Sequence, residues 1–147
     1  MALLEKINSD LKEAMKAKDS VKVGTLRMVV SDIKYAKIEK MKEMDDGDTI
    51  AVIQKAIKSR KDSAEQYKNA QRPELAMKEE AEIAVLEVYL PEQMSSEEIE
   101  KIIRSVVRDI GATGAKDMGK VMQKLMPLVK GKADGKLVNE IVKKVLG

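Results

Sequence analysis

The residues best suited to chemistry are lysines set around glycines near the carboxyl end. Lys130-Gly131-Lys132-Ala133-Asp134-Gly135-Lys136 surrounds an open backbone with three cations and leads into the start of a helix. Free N–H groups and the positive pole of the helix dipole make such a start a natural phosphate site. Just upstream, Lys116, Lys120 and Lys124 recur every four residues, one ridge along a helix. If ridge and loop face the same way, six ammonium groups line a groove for a polyanion. The plainer alternative is a solvated lysine face beside a flexible glycine turn, with Asp134 serving only as an N-cap.

Other arrangements carry less. Gly114-Ala115-Lys116-Asp117-Met118-Gly119-Lys120-Val121 nearly spells a phosphate-binding loop, but Val121 stands where Ser or Thr would ligate magnesium. The element before it reads as an amphipathic helix instead of a strand. Arg60 falls in register with Ile53, Ile57, Ala64 and Tyr67, a cation on an apolar stripe, where it pairs with a carboxylate between helices or snorkels at the edge. Lys58, Arg60 and Lys61 form a second basic cluster. Glu79, Glu80 and Glu82 read as acids on an exposed helix, with nothing to imply the burial that general acid–base work needs.

What is missing narrows the chemistry further. The 147 residues contain no cysteine and no histidine. That removes Cys–His and Ser–His nucleophiles, thiolate or imidazole zinc sites, and disulfides, so no metal or cofactor is expected. Three Tyr with no Phe or Trp cannot build the stacking surface of an aromatic RNA reader. The ten Met read first as core filler and second as a helix-binding groove. The first residues mix acids and bases without an apolar leader, and no apolar run is long enough for a membrane span. A cytoplasmic location is therefore expected. Net charge is +3, and residues 111–147 hold 8 Lys against 3 acids, so the surplus is a C-terminal property.

These residues need helices to position them. Aliphatic spacing predicts an all-α chain that is more than about 70% helical, in seven stretches. The first runs over about 2–16, with Leu4, Ile7, Leu11, Ala14 and Met15 on one stripe. Asp19 or Ser20 caps the second, whose apolar face includes Leu26, Val29, Val30, Ile33 and Met41. Asp45 to Thr49 is a turn and N-cap before the third. The fourth starts at Pro73 and ends near Leu90, ahead of Pro91. Ser95 with Glu98 is a capping box for the fifth, which Gly111 stops. The sixth carries Met118, Val121, Met122, Leu125 and Val129, and Pro127 is expected to kink or end it. Asp134 caps the seventh. The boundary at Pro91-Glu92-Gln93-Met94 predicts an N-terminal domain of about four helices, 1–92, and a three-helix C-terminal domain, 93–147.

Three segments resemble the YqeY family. They are Tyr89-Leu90-Pro91-Glu92-Gln93, Lys116 to Met122, and Val129 to Asn139, supported by Leu26-Arg27-Met28 and by Arg60-Lys61-Asp62-Ser63. The C-terminal half of that family is similar to the tail domain of the B subunit of glutamyl/aspartyl-tRNA amidotransferase and of its archaeal relative GatE. The resemblance implies a helical module that contacts tRNA, with Lys116, Lys120, Lys124, Lys130, Lys132 and Lys136 as the positions facing RNA. It also implies, through a label attached to the family, carbon–nitrogen ligase activity with glutamine as amide donor. The sequence lacks the cysteine nucleophile and any serine–lysine amidase signature for that reaction. Three readings follow: a binder of tRNA or another structured RNA, an accessory partner of an amidotransferase or other protein assembly, and an amide-transferring enzyme.

Overall fold

Capping chemistry marks out the helices. In the computed structural model, which describes residues 2–147, α1 (Ala2–Ala17) gives way to α2 (Ser20–Lys40) at Asp19, whose side chain accepts the Lys22 N–H. Asp45 opens α3 (Asp46–Asn69) with a reciprocal box: it accepts from Asp48 N at 2.7 Å, while the Asp48 carboxylate accepts from Asp45 N at 3.1 Å. Pro73 occupies the first turn of α4 (Pro73–Glu87), where a missing N–H costs nothing. Turns replace the helix over 88–90, so α4 stops short of the predicted Leu90.

Ser95 accepts from Glu98 N to start α5 (Ser96–Ile110), the forward half of the predicted box. Gly111, at φ 69°, closes it in the left-handed region that glycine adopts without strain. A 3₁₀ turn (Ala115–Asp117) leads into α6 (Met118–Val129), and α7 (Gly135–Leu146) follows the lysine–glycine loop. The helix passes through Pro127 to Val129, so the proline removes one bond close to the end of α6 without terminating it there. The chain is 81% helical and all-α, with no strand among the described residues.

The chain divides into two compact units, one running to Leu90 and one from Pro91 to Gly147. In the first, α3 packs chiefly on α4 and α1 on α2, around Ile7, Leu26, Val29, Ile33, Ile53 and Leu86. Met44, fully buried just before Asp45, belongs to that core. Met41, which the stripe pattern places there, is instead 90% exposed at the C-cap of α2, because the helix ends before another turn can carry it inward. In the second unit α5 packs against both α6 and α7, around Ile99, Ile103, Val121, Leu125, Val138 and Val142.

Candidate functional site

The second unit displays all six candidate lysines. Lys120 and Lys124 lie a turn apart on α6, and Lys116 precedes them on the 3₁₀ turn instead of extending an α-helical ridge. Lys130 caps the end of α6, Lys132 lies in the loop, and Lys136 is in the first turn of α7. Every one is exposed, and none forms an ion pair among the described residues. Six residues separate Lys124 from Lys130, roughly 9 Å of helix axis. In chain order the six form two trios, one running from the 3₁₀ turn to the middle of α6 and one from the C-cap of α6 to the first turn of α7.

An acid sits within each trio. Asp117 accepts the Thr113 N–H at 2.9 Å, and that bond, then the ammonium groups of Lys120 and Lys116, hold its carboxyl below the usual aspartate range. Asp134 accepts the Lys136 N–H at 3.1 Å and caps α7. The start of α7 thus already carries the chain's own carboxylate, in the N-cap role expected of Asp134, which offsets part of the positive charge there. What survives is side-chain charge, a surplus of two positive charges in each trio.

The loop bearing the second trio is pinned. Gln93 Nε2 donates to Gly131 O at 3.0 Å and to Pro91 O at 2.8 Å, and Met94 N donates to Lys132 O at 2.8 Å. Lys132 N in turn donates to Val129 O at 2.9 Å, and buried Gly131 takes φ 80° to allow the turn. Two sequence segments that stand apart in the chain thus meet, through the Gln93 side-chain amide and the Met94 main-chain N–H. Sequence reading flagged both segments without joining them, since a glutamine reaching a distant carbonyl leaves no periodic trace. The near-match to a phosphate loop follows α5, a helix, and lacks the strand such loops extend.

In the first unit Arg60 is 8% exposed, wedged among α2, α3 and α4. Its Nη1 donates to Ala56 O at 3.0 Å, its Nη2 lies 3.7 Å from Met28 Sδ and 3.8 Å from a Glu82 oxygen, and its Nε has no partner. Glu82, predicted as an exposed acid, is turned inward as the counter-charge, because the buried guanidinium needs one. Unforeseen in the sequence is the cluster of Asp10, Tyr89 and Lys6. The Tyr89 hydroxyl donates to Asp10 Oδ2 at 2.6 Å, and Lys6 lies 3.1 Å from that same oxygen and 5.6 Å from the ring centre. The pairing spans 79 residues, beyond the reach of any local pattern. Among the described residues no group of His, Cys, Asp or Glu could hold a metal ion, and no helix is long and apolar enough to cross a membrane.

Comparison with known proteins places this arrangement. The family model described as Yqey-like protein matches residues 4–146. The altered inheritance of mitochondria protein 41, mitochondrial, of Pyrenophora tritici-repentis is 31% identical over 99% of this chain and 81% of its own length. An uncharacterized protein of Schizosaccharomyces pombe is 37% identical over 61% of this chain and 73% of its own. The protein 41 of Vanderwaltozyma polyspora is 32% identical over 76% of this chain and 64% of its own length. The names of two of these relatives place them in mitochondria, which overturns the cytoplasmic expectation. That expectation leaned on a missing apolar leader, a feature that bears on secretion, whereas mitochondrial import reads amphipathic basic segments. With the match running almost from end to end, the chain belongs to the YqeY-like family.

Proposed function

We propose that the C-terminal unit binds structured RNA, tRNA foremost, through phosphate and shape contacts with little reading of bases. One observation carries this reading: six exposed lysines in two trios, none spent on an ion pair among the described residues, each trio keeping a surplus of two charges. The second unit holds 11 Lys and Arg against eight acids, while the first is balanced at 17 of each. Ammonium groups neutralise phosphates and release condensed counterions, which supplies sequence-independent affinity. The clasp of Gln93 and Met94 holds the loop backbone at Gly131 and Lys132 before any ligand arrives, which lowers the ordering cost of binding. With three Tyr in the chain, base stacking adds little, and affinity rests on charge and contour.

The test is fluorescence anisotropy of labelled tRNA at low salt, comparing two quadruple variants of the full chain. Converting Lys120, Lys124, Lys130 and Lys132 to Gln should lower affinity at least about 100-fold, whereas converting Lys12, Lys16, Lys55 and Lys78 of the first unit should change it less than about threefold. Equal losses from the two variants, or no binding by the unaltered protein, would refute the assignment. Glutamine turnover by the purified chain would favour the amide-transfer reading instead.

A further inference from the structure

Helix α2 shows two apolar faces. Leu26, Val29 and Ile33 point into the first unit's core, while Val21, Met28, Tyr35 and Ile38 stay exposed, at 44%, 55%, 70% and 72%, although the Met28 sulfur also reaches Arg60 Nη2. Together with Gly24 and Ser31, the exposed residues are spaced 3-4-3-4-3: Val21, Gly24, Met28, Ser31, Tyr35, Ile38. This is the seam of a two-stranded coiled coil, with large side chains at one heptad position and two small ones at the other. Gly24 has no internal reason to be small, since a Cβ there would meet nothing within 4 Å. A glycine inside a helix weakens it, so its place on the outer seam fits close approach by a second backbone.

The flanking charges identify what lies opposite. Arg27 and Lys34 border the seam on one side, Asp32 and Glu39 on the other, and none of the four forms an ion pair among the described residues. In a parallel pair of identical helices, each residue before the seam faces the partner residue five positions further along. Arg27 then meets Asp32 of the second copy and Lys34 meets Glu39, and symmetry doubles both pairs. An antiparallel pair would set the basic flanks against each other and the acidic flanks against each other. We infer that the outer face of α2 is a homodimer seam, closed by the same helix of a second copy running parallel to it. Six seam residues per copy form a small interface, so the dimer is weak, with a dissociation constant of about 100 µM.

Analytical ultracentrifugation from about 10 µM to about 1 mM should show a monomer–dimer equilibrium in that range. Tyr35→Glu with Ile38→Glu should abolish the dimer while leaving helicity and melting unchanged, since both residues are exposed. Arg27→Glu with Lys34→Glu should weaken it about tenfold, and mixing that variant with Asp32→Lys, Glu39→Lys should restore association as a heterodimer. Because the chain has no cysteine, Ser31→Cys gives a clean register probe: oxidation should cross-link residue 31 to its own copy across the parallel seam. A monomer at every concentration, a dimer indifferent to Tyr35→Glu and Ile38→Glu, or a Ser31→Cys variant that does not cross-link would each overturn the inference.

Discussion

The two units reach stability by different means. Every buried residue of the C-terminal unit's core is aliphatic, from Ile99 through Val142, and its turns at Gly111 and Gly131 use glycine where φ is positive. The N-terminal unit buries Thr25, Thr49 and Arg60, and it places Lys18, Met41 and Gln71 at φ 55–58°, where L side chains are strained. In the first case local preference mostly agrees with the fold, Pro127 inside α6 being the exception; in the second, tertiary contacts overrule local preference. The unit with the simpler core is also the one with a net positive charge.

The largest expected effect strikes the aliphatic core. Leu125→Ala should cost about 3 kcal/mol by denaturant titration, a loss that a unit of 91–147 cannot readily absorb. A cost below about 1 kcal/mol would mean the unit repacks freely and is less specified than its pattern suggests. Next comes the polar core of the first unit. Glu82→Ala should cost about 2 kcal/mol, because it leaves the Arg60 guanidinium buried with no counter-charge, and Arg60→Met combined with it should recover most of that loss.

Tyr89→Phe should cost about 1 kcal/mol at neutral pH and should alter both ends of the pH–stability curve. The Tyr89 hydrogen bond, and then Lys6, lower the Asp10 carboxyl from its ordinary 3.8. Its contribution is therefore complete above that value and is lost as pH falls through the lower folded one. Burial, and then Asp10, raise the Tyr89 phenol above its ordinary 10.0, so its contribution holds below that pH and is lost as pH rises beyond it. Urea titrations of both proteins across pH would read both limbs. The smallest effects contrast the turns: Met41→Gly should stabilise by about 1 kcal/mol, while Gly111→Ala should destabilise by a similar amount, with thermal melts as the measure.

The same contrast governs what could be read from the chain. The spacing of Ile99, Ile103 and Val106 on α5, and the caps Ser95, Gly111 and Asp134, are local signals, and the structure follows them. Met41 and Glu82 were misplaced because their positions depend on where α2 stops and on a guanidinium from another helix. All six candidate lysines and the capping role of Asp134 are legible in the sequence, whereas the partner of Asp117 is not. Asp117 satisfies Thr113 N–H, a contact with no local signature, and Asp134 satisfies Lys136 N–H as an N-cap. The pinning of the loop by Gln93 depends on a carbonyl 38 residues away, which no periodicity reports.

The central claim, that side-chain cations of the second unit release counterions from RNA, is tested most directly by the salt dependence of tRNA affinity. For four to six phosphate contacts, log K against log[salt] should fall with a slope of about −3 to −5, and Lys120→Gln with Lys124→Gln should reduce that slope by about 1.5. A flat line for the unaltered protein, or a slope the double substitution leaves untouched, would contradict it.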